Sequence, residues 1–558
     1  MLLLAAYGLI YPWLAFTANI NWDEFNFLAG VYGLQDNRLD PGLNNFHGVI
    51  YAWLTAVPGI ETTQIIAGRI GQLMLFAGAM GLLFAIARQF FSALTALIIV
   101  FLCVSYTDLL RHAFSFRFDT LCLFFSLLAL YLYPFHRGRA SAAGAGAALA
   151  ISFLVSVKTV FMLLPLLAIA ALQHTPRETR RTEFKRTALF LLTLAGVFTL
   201  LYALRASLTS GTTPTTGETE TMLDFLARAG SRMFLEEGLL PRAEYLWRGF
   251  RENAGHWSLL GAGVIVALYQ LATRTQGSRQ HLILLCFLLP LLSVFFYRNA
   301  FPYFYVMVIP PAMLVAGLAI ETALRHSPRL GSRGPALVVA AVLAIGLSGT
   351  SMYLLLEHRE GISQQRLVLQ AVHEIFPEPV PYIDGYGMVS SFPKVGLWMS
   401  TWAMEEYHRQ GQPVMESIVR EHQPHFILVN HPALPSRESR ILPDNPFMAS
   451  LLPPDTHILA THFIPHWGPI YIAGREFEID NPGITISFEV LISGEYTLEA
   501  AAPAWIDDNL LLPGETIQLG QHSHLLKPGT NKTIRLRRGD NPYRPARPAP
   551  EARLFKPL

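Results

Sequence analysis

The stretch MLLLAAYGLIYPWLAFTANINWDEFNFLAG, residues 1–30, joins a continuous apolar run to a pair of adjacent carboxylates. Residues 1–19 are long and apolar enough to cross a bilayer as one helix, which takes about 17–25 residues. The run has no basic start and no small-residue cleavage site, so we expect an uncleaved first helix. Asp23 and Glu24 then lie at the edge of a membrane, where charge is unfavourable and often functional.

The composition of the whole chain also indicates a membrane protein. Hydrophobic residues make up 52% of the 558 residues and charged residues only 15%, whereas soluble proteins carry about 25% charged residues. The mean hydropathy is +0.35 and the net charge is +2, so nothing indicates a nucleic-acid partner. Cys103, Cys122 and Cys286 all lie in apolar runs, which offers neither a disulfide framework nor a zinc-binding spacing.

Hydropathy predicts about eleven transmembrane helices, and therefore a polytopic α-helical membrane protein. The predicted spans lie near residues 1–19, 66–87, 93–107, 119–133, 141–157, 159–172, 188–206, 256–272, 282–297, 304–323 and 335–356.

The basic residues predict the orientation of these spans. With the N-terminus in the cytoplasm, the inner loops hold most of the clustered Arg and Lys outside the large segments, as in HTPRETRRTEFKR (174–186), which fits the positive-inside rule. The outer loops then hold isolated cations: Arg38, Arg111, Arg117 and Arg298. This orientation places Asp23 and Glu24 outside, together with the region after residue 357.

The predicted membrane domain covers residues 1–356 and has two long outer loops, 20–65 and 207–255. The second loop contains TMLDFLARAGSRMFLEEGLL (221–240), an amphipathic piece that we expect to lie along the membrane interface.

The soluble region after the last span divides into three predicted parts. Residues 357–470 alternate helix-like and strand-like segments, which favours a small α/β domain. Residues 471–540 contain short alternating runs between Gly, Pro and Asp turns, which is typical of a β-sandwich. Residues 541–558 are Pro-rich, and we expect them to be extended or disordered. The sandwich either binds carbohydrate or caps the active site, and the sequence leaves both open.

Ionisable residues recur at the outer ends of the spans. Asp23 and Glu24 are either a solvated loop start or a catalytic pair, in which one carboxylate deprotonates or orients an acceptor. Their aromatic surroundings limit water and could raise a carboxylate pKa, which suits a base. His47, within GLNNFHGVIYAWL, is either an interfacial histidine or a cationic or hydrogen-bonding contact to a phosphate.

Four charged or titratable residues meet at the start of the fourth span. Arg111, His112, Arg117 and Asp119 all lie within RHAFSFRFD. If these residues are only structural, Arg117 extends its side chain to the lipid headgroups. That interpretation does not explain why an acid, Asp119, lies at the membrane edge.

Two further cations complete the outer set. Lys158 interrupts two apolar runs with almost no loop, and Arg298 stands beside Tyr303 and Tyr305. An aromatic belt explains the tyrosines better than it explains an arginine on the outer side. A bound anion explains the isolated cations, and a phosphate or pyrophosphate on a lipid lies at the right depth.

Motifs in the first 356 residues occur in an order typical of one superfamily. The chain resembles the GT-C glycosyltransferases, and within them the branch of protein O-mannosyltransferases and bacterial lipid A aminoarabinose transferases. The motifs are WDEFNF (22–27), NNFHGVIYAWL (44–54), the second span with Arg69, FSFRFD (114–119), SVKTVFMLLPLLA (156–168) and RNAFPYFYVMVIPPAMLVAG (298–317). The chain departs from the pattern at Gly48 and Val49, where relatives carry prolines, and at Thr159, where they carry glycine.

The resemblance implies transfer of a sugar from a polyprenyl-phosphate donor to an acceptor on the outer face, with inversion. It implies that Asp23, which leads the family's acidic motif, is the base, with Glu24 as the alternative. Asp119 assists the acceptor or holds Arg117. The implied phosphate-binding residues are Lys158, Arg298, Arg117, Arg69 and His47, and the further candidates are His112, Tyr303 and Tyr305. No cofactor is required, and a divalent metal is possible but not expected.

Two other functions stay open at this stage. A transporter or flippase of lipid-linked sugars would place its ionisable groups near the bilayer midplane, and a non-catalytic scaffold would bind glycans through its soluble region. The expected partners are the lipid-linked donor, membrane lipids and a lipid, glycan or protein acceptor. We expect a bacterial inner membrane with the C-terminal region in the periplasm. The alternative is the endoplasmic reticulum of a eukaryote.

Overall fold

The computed structural model describes residues 2–36, 46–173, 180–208, 238–273, 278–356, 361–435, 450–481, 483–530, 532–550 and 554–555. The predicted interfacial piece 221–240 falls almost wholly outside the described residues. The helices of the membrane part are α1 (Leu2–Thr17), α2 (Trp22–Gln35), α3 (Phe46–Ile50), α4 (Glu61–Ala87), α5 (Ala93–Ser105), α6 (Thr107–His112), α7 (Phe118–Phe135), α8 (Arg139–Val155), α9 (Val160–Gln173), α10 (Arg180–Leu208), α11 (Ala243–Glu252), α12 (Ala254–Ala272), α13 (Ser278–Cys286), α14 (Leu289–Leu292), α15 (Tyr305–His326) and α16 (Gly334–Leu356).

Six of the described helices are long and apolar enough to cross a bilayer, and four shorter apolar helices accompany them. The chain is therefore a multi-pass membrane protein. The six correspond to α4, α7, α10, α12, α15 and α16, and the shorter ones to α1, α5, α8 and α9. The count of eleven spans stays a prediction.

A continuous helix covers most of every predicted span except the ninth, 282–297. There the chain breaks into α13, α14 and a 3₁₀ turn, Ser293–Phe295. Pro290 stands in the first turn of α14, and a proline has no N–H to continue the hydrogen bonding of a preceding helix. The residues before it already tighten to i→i−3 bonds, from the Phe287 nitrogen to the Leu284 oxygen at 3.1 Å.

The acidic pair of the first outer loop lies in a helix rather than in an open loop. Asn21 caps α2, because its side chain accepts a hydrogen bond from the Asp23 nitrogen at 3.0 Å. The Glu24 side chain reaches back and accepts from the Asn21 nitrogen at 3.0 Å, which completes a capping box. Both acids therefore stand in the first helical turn, where the helix dipole favours negative charge.

The soluble region contains α17 (Ser363–Ile375), α18 (Thr401–Gln410), α19 (Met415–His422), α20 (Pro453–His462) and twelve described strands. The strands are β1 (Tyr382–Asp384), β2 (Lys394–Val395), β3 (Phe426–Leu428), β4 (Phe463–Trp467), β5 (Ile470–Phe477), β6 (Ile486–Glu489), β7 (Gly494–Glu499), β8 (Ala504–Ile506), β9 (Asn509–Leu511), β10 (Thr516–Leu519), β11 (Ser523–Pro528) and β12 (Ile534–Arg538).

These strands form two described sheets. The larger sheet has the order β10-β7-β12-β5-β3-β1-β2, with β4 paired to β5, and the smaller has the order β6-β11-β8-β9. β1 pairs in parallel with β2 and β3, and the other described pairs are antiparallel. Apolar residues of both sheets, such as Phe477, Leu498 and Leu526, share one buried core, as in a sandwich.

Strand β5 connects the two predicted halves of the soluble region. Its residues Ile470–Ile472 pair with β3 of the α/β part, and Gly474–Phe477 pair with β12 of the sandwich part. The predicted boundary at 470 thus falls at the start of a strand shared by both. The division of the chain into domains stays a prediction.

The described part of the Pro-rich tail packs against the rest of the protein. The Trp467 Nε1 donates to the Arg547 carbonyl at 3.0 Å, and the Gln365 Nε2 donates to the Leu554 carbonyl at 3.0 Å. The side chain of Leu554 is buried.

The soluble region also contacts the beginning of α2 and α4 directly. The Gln365 side chain bonds both backbone groups of Ile20 at 2.8 Å, and the Ser390 hydroxyl donates to the Phe25 carbonyl at 2.9 Å. Glu61, at the start of α4, accepts a hydrogen bond from Ser391 and pairs with His373. These contacts hold the soluble region against the helix that carries Asp23.

Candidate active site

A cavity of about 400 Å³ opens where the ends of several membrane helices meet the first outer loop. Its walls come from α2, α3, the start of α7, the 3₁₀ turn Val157–Thr159 and the segment before α15. Among the residues predicted from the sequence, the lining includes Asp23, His47, Arg117, Lys158 and Tyr303.

Four charged side chains form a continuous chain of ion pairs at this cavity. Arg117 donates through Nη1 to Asp23 and through Nε to Asp119, the second at 3.2 Å, and the Lys158 Nζ is also 3.2 Å from Asp119. The Asp23 side chain is 23% exposed, whereas the other three are between 2% and 8% exposed. Asp23 is therefore the most accessible of the four to an entering molecule.

Local backbone structure places these charges. Arg117 is the extended residue before α7, and Asp119 stands in the first turn of that helix. Lys158 lies in the short 3₁₀ turn between α8 and α9, where the Ser156 hydroxyl accepts from its backbone nitrogen. Because both segments begin a helix at the same end of the bundle, the side chains converge although they are far apart in the sequence.

Aromatic rings hold the two cations. The guanidinium carbon of Arg117 lies 3.6 Å from the centre of the Tyr303 ring, and the Lys158 Nζ lies 4.7 Å from the ring centres of both Tyr303 and Phe118. Such cation–π contacts fix the position of a charge without neutralising it. Tyr303 therefore shapes the floor of the cationic part of the cavity.

His47 stands against the cavity with both ring nitrogens free of hydrogen-bond partners among the described residues, although it is only 1% exposed. Its ring packs against Phe27, Tyr51 and Phe116. Burial, assisted by the charge of Arg117, lowers the pKa of His47 to about 3. A neutral imidazole is then available to a ligand as a hydrogen-bonding group, and the cationic alternative does not fit this environment.

Glu24 and Arg69 lie behind the cavity rather than in it. Arg69 donates to the two carboxylate oxygens of Glu24 at 2.8 and 2.7 Å, and both side chains are fully buried. Arg69 also donates to the carbonyls of Ala15, Ala18 and Asn19, so each of its nitrogens has a partner. These contacts join α1, α2 and α4. The catalytic role of Glu24 and the phosphate-binding role of Arg69 stay predictions.

Arg298 does not line the cavity either. Its Nη2 donates to Glu405 of the soluble region at 2.7 Å, and its guanidinium carbon lies 3.8 Å from the centre of the Trp402 ring. The neighbouring Asn299 lines the cavity and accepts from the Trp402 Nε1 at 3.2 Å. In this arrangement Arg298 links the cavity rim to α18, and its phosphate contact stays a prediction.

The remaining two candidates have different positions. The His112 ring packs edge-on against Tyr303, with 6.3 Å between the ring centres, and does not belong to the cavity lining. Tyr305 is fully buried, and its hydroxyl has no hydrogen-bond partner among the described residues. The sequence motif thus brings Tyr303 to the site, but not Tyr305.

Four neutral polar residues that line the cavity were not predicted as site residues from the sequence: Asn26, Ser156, Tyr297 and Asn299. Amide and phenol groups match the mixed donor and acceptor pattern of sugar hydroxyls. Asn26 stands three residues after Asp23 on α2, and the i, i+3 spacing of a helix could have indicated that both share one face.

A second charged cluster lies apart from the cavity. Arg111 donates to Asp108 at 3.2 Å and to Glu252 at 2.7 Å, which ties α6 to α11. The Thr107 hydroxyl also donates to Glu252, at 2.8 Å. From the sequence, Arg111 is expected to be an isolated outer cation, whereas in the structure it has two acidic partners. Asp119 was predicted as a site residue because it is an acid at the outer end of a membrane span. Asp108 meets the same criterion and could have been predicted in the same way.

Comparisons with known proteins identify the fold. No protein-family profile and no curated protein sequence matches the chain. Among solved structures, the chain is similar to ArnT from Cupriavidus metallidurans bound to undecaprenyl phosphate, with a TM-score of 0.53 and 15% identity over 76% of this chain and 92% of that one. The apo structure of the same ArnT gives a TM-score of 0.45 at 15% identity, over 76% and 91% of the two chains. The mycobacterial arabinofuranosyltransferase AftD gives 0.48 at 15% identity, over 95% and 42%.

The similarity to undecaprenyl-phosphate-bound ArnT shows the fold of this chain. It is a polytopic membrane protein of the GT-C fold with a C-terminal region that contains β-sheets. The fold class predicted from the sequence motifs is thereby confirmed.

Proposed function

We propose that the chain is a membrane glycosyltransferase that moves a sugar from a polyprenyl-phosphate donor to an acceptor at the outer face of the membrane. The observation that carries this proposal is the cavity in which a partly exposed carboxylate, Asp23, stands beside two cations, Arg117 and Lys158. The solved structure with the same fold is bound to undecaprenyl phosphate, which supports a lipid phosphate as the ligand of the cations.

Asp23 acts on the acceptor side of this reaction. Its carboxylate accepts the proton of an acceptor hydroxyl, whose oxygen then attacks the anomeric carbon of the donor sugar. The bond between that carbon and the phosphate oxygen breaks, and the electron pair leaves with the lipid phosphate. A single displacement of this kind inverts the configuration at the anomeric carbon. Arg117 orients the Asp23 carboxylate through its Nη1.

Lys158 and His47 act on the donor side. An ammonium group has three N–H donors, and in the described structure the Lys158 side chain uses one for Asp119. The remaining donors can point at the phosphate oxygens, where charge develops as the bond breaks. His47, which is neutral and has no partner among the described residues, can donate one further hydrogen bond.

The position of the charges favours an enzyme over a transporter. Asp23 and Asp119 stand in the first turns of α2 and α7, so the reactive groups gather at one end of the helices. A transporter site lies near the bilayer midplane. We further propose a bacterial inner membrane, a periplasmic soluble region, a lipid, glycan or protein acceptor, and catalysis without an obligatory metal.

Transfer by the purified chain tests the proposal. Polyprenyl-phosphate-linked hexoses and pentoses are supplied one at a time, together with an envelope extract, and the release of polyprenyl phosphate is measured. We expect release with at least one donor, and Asp23→Asn should lower its rate by about 10²–10⁴-fold because the base is lost.

Asp36→Asn is the matched control, since this exposed acid follows the same helix at its far end. Its rate should equal that of the wild type. Wild-type transfer by Asp23→Asn would contradict the role of the base, and the absence of release with every donor would contradict the enzyme.

A further inference from the structure

A group of metal-ligand side chains lies in the β-sandwich, within the soluble region and outside the cavity. Asp507, His522 and His524 place one ligand atom each within 4.8 Å of one another, and this is the one such group among the described residues. Asp507 occupies the turn between β8 and β9. The two histidines come from β11 and the residue before it.

The hydrogen bonds of His524 determine which of its nitrogens faces the group. Its Nε2 lies 3.0 Å from the Gly520 carbonyl oxygen, which is only an acceptor, so this nitrogen carries a proton. Its Nδ1 is in direct hydrogen-bond contact with the Asp507 carboxylate, so a proton lies between the two atoms in this arrangement. The same nitrogen and carboxylate present lone pairs to a metal ion once that proton leaves and the Asp507 side chain turns to make room.

The surroundings match a metal site more closely than a simple ion pair. A ligating histidine usually donates its other N–H to a backbone carbonyl, as His524 does to Gly520. Asp507 is oriented by the Leu525 nitrogen, which donates to its second carboxylate oxygen at 2.8 Å. Each of these two ligands is thus held by a backbone contact of its own.

His522 supplies the third ligand. Its ring centre lies 4.1 Å from that of His524, and a salt bridge between Asp507 and His524 alone gives no reason for a second imidazole there. Gly520 makes room for the ring, because a Cβ at this position would lie 2.9 Å from the His522 Nδ1 and 2.8 Å from its Cε1. The glycine at position 520 therefore leaves space for the His522 ring to stand beside His524 and Asp507.

We propose that Asp507, His522 and His524 bind a divalent transition-metal ion of the zinc class. Two imidazoles and one carboxylate are a ligand set that zinc accepts, with a fourth position for water. His522 is exposed and the Asp507 side chain is 39% exposed, so both can rotate to close the remaining distance and leave the fourth position open. The ion would tie the β8–β9 turn to the start of β11 at one end of the smaller sheet.

Calorimetric titration of the purified, tag-free full chain with ZnCl₂ tests the site. MgCl₂, a hard cation that prefers oxygen ligands, is the comparison. We expect one zinc equivalent to bind and magnesium not to bind at the same concentrations. His522→Ala should weaken zinc binding by about 100-fold or more, because loss of an outer-shell partner alone typically costs about 10–100-fold in metal affinity. This residue is exposed, so the variant retains its fold.

His457→Ala is the matched control, since His457 is exposed on α20 of the same soluble region. Its zinc affinity should equal that of the wild type. Saturating zinc should raise the melting temperature of the wild type and of His457→Ala, but not of His522→Ala, because a ligand that binds only the folded state stabilises it. Equal affinities for the two variants, or no binding by the wild type, would show that Asp507 and His524 form an ion pair only.

Discussion

Asp23 and Glu24 are adjacent in the chain, yet they belong to two regions with opposite properties. Asp23 faces the cavity with 23% of its side chain exposed, and it shares Arg117 with Asp119. Glu24 is fully buried and accepts hydrogen bonds from Arg69 and from the backbone nitrogens of Asn21 and Phe116. Successive residues of a helix point about 100° apart, which separates the two environments.

The contrast between Asp23 and Glu24 shows which features distinguish a reactive charge from a structural one. The hydrogen bonds of Glu24 and Arg69 join α1, α2 and α4 to one another and to the segment before α7, and neither residue lines the cavity. The cavity charges are instead arranged around an opening large enough for a sugar. The following substitutions test this distinction, from the largest expected change in free energy to the smallest.

Glu24→Gln should destabilise the protein strongly. The substitution leaves the Arg69 charge buried without its carboxylate, and breaking such a pair typically lowers the free energy of unfolding by about 3–5 kcal/mol. Thermal unfolding in detergent measures the effect. Transfer activity per folded molecule should stay near that of the wild type. If the variant has the unfolding temperature of the wild type but no longer transfers the sugar, Glu24 is catalytic.

Lys158→Gln should slow the reaction about 100-fold, which corresponds to roughly 2.7 kcal/mol of lost transition-state stabilisation. The Nζ of Lys158 is the cation that can turn toward the leaving phosphate, so the decrease should fall on kcat more than on KM. Lys185→Gln, on the exposed side of α10, is the control and should change neither constant. A rise in KM alone would assign Lys158 to ground-state binding of the donor.

Arg298→Gln should cost about 1.5–3 kcal/mol of stability, because it removes a mostly buried charged hydrogen bond to Glu405. The KM for the lipid-linked donor should remain within a few-fold of the wild-type value. Glu405→Gln is the matched variant and should show the same pattern. If Arg298→Gln raises KM at least tenfold while Glu405→Gln does not, Arg298 binds the donor phosphate after all.

His47→Gln should alter the pH dependence of stability. The folded pKa of His47 is lowered to about 3, so between that pH and the ordinary value of 6.5 only the unfolded chain binds the proton. The contribution of this group to stability is therefore lost as the pH falls below 6.5, by about 1 kcal/mol at pH 5.5. The variant should lose less stability between pH 7 and pH 5 than the wild type.

His457→Gln, an exposed histidine of the soluble region, is the control for this measurement and should follow the wild-type curve. Identical pH curves for His47→Gln and the wild type would mean that His47 does not stand neutral in the folded protein.

Much of the fold followed from local sequence. The apolar runs predicted where the helices lie, because a bilayer-length apolar segment satisfies its backbone only within itself. The ninth predicted span was not one continuous helix, because a hydropathy profile does not detect a residue such as Pro290 that interrupts helical hydrogen bonding within an apolar run. The alternating segments after residue 357 indicated an α/β part and a sandwich, but β5, which pairs with strands of both, could not be recognised from its own residues.

The sequence by itself determined which residue types meet at the outer ends of the helices: Asp23, Arg117, Asp119 and Lys158 were all identified from it. Only the tertiary structure decided which cation each acid binds. Glu24 finds Arg69 at a separation of 45 residues, and Asp23 finds Arg117 at a separation of 94. The physical reason is that burial and pairing are properties of packed helices, so a charge becomes structural or reactive only when distant segments close around it.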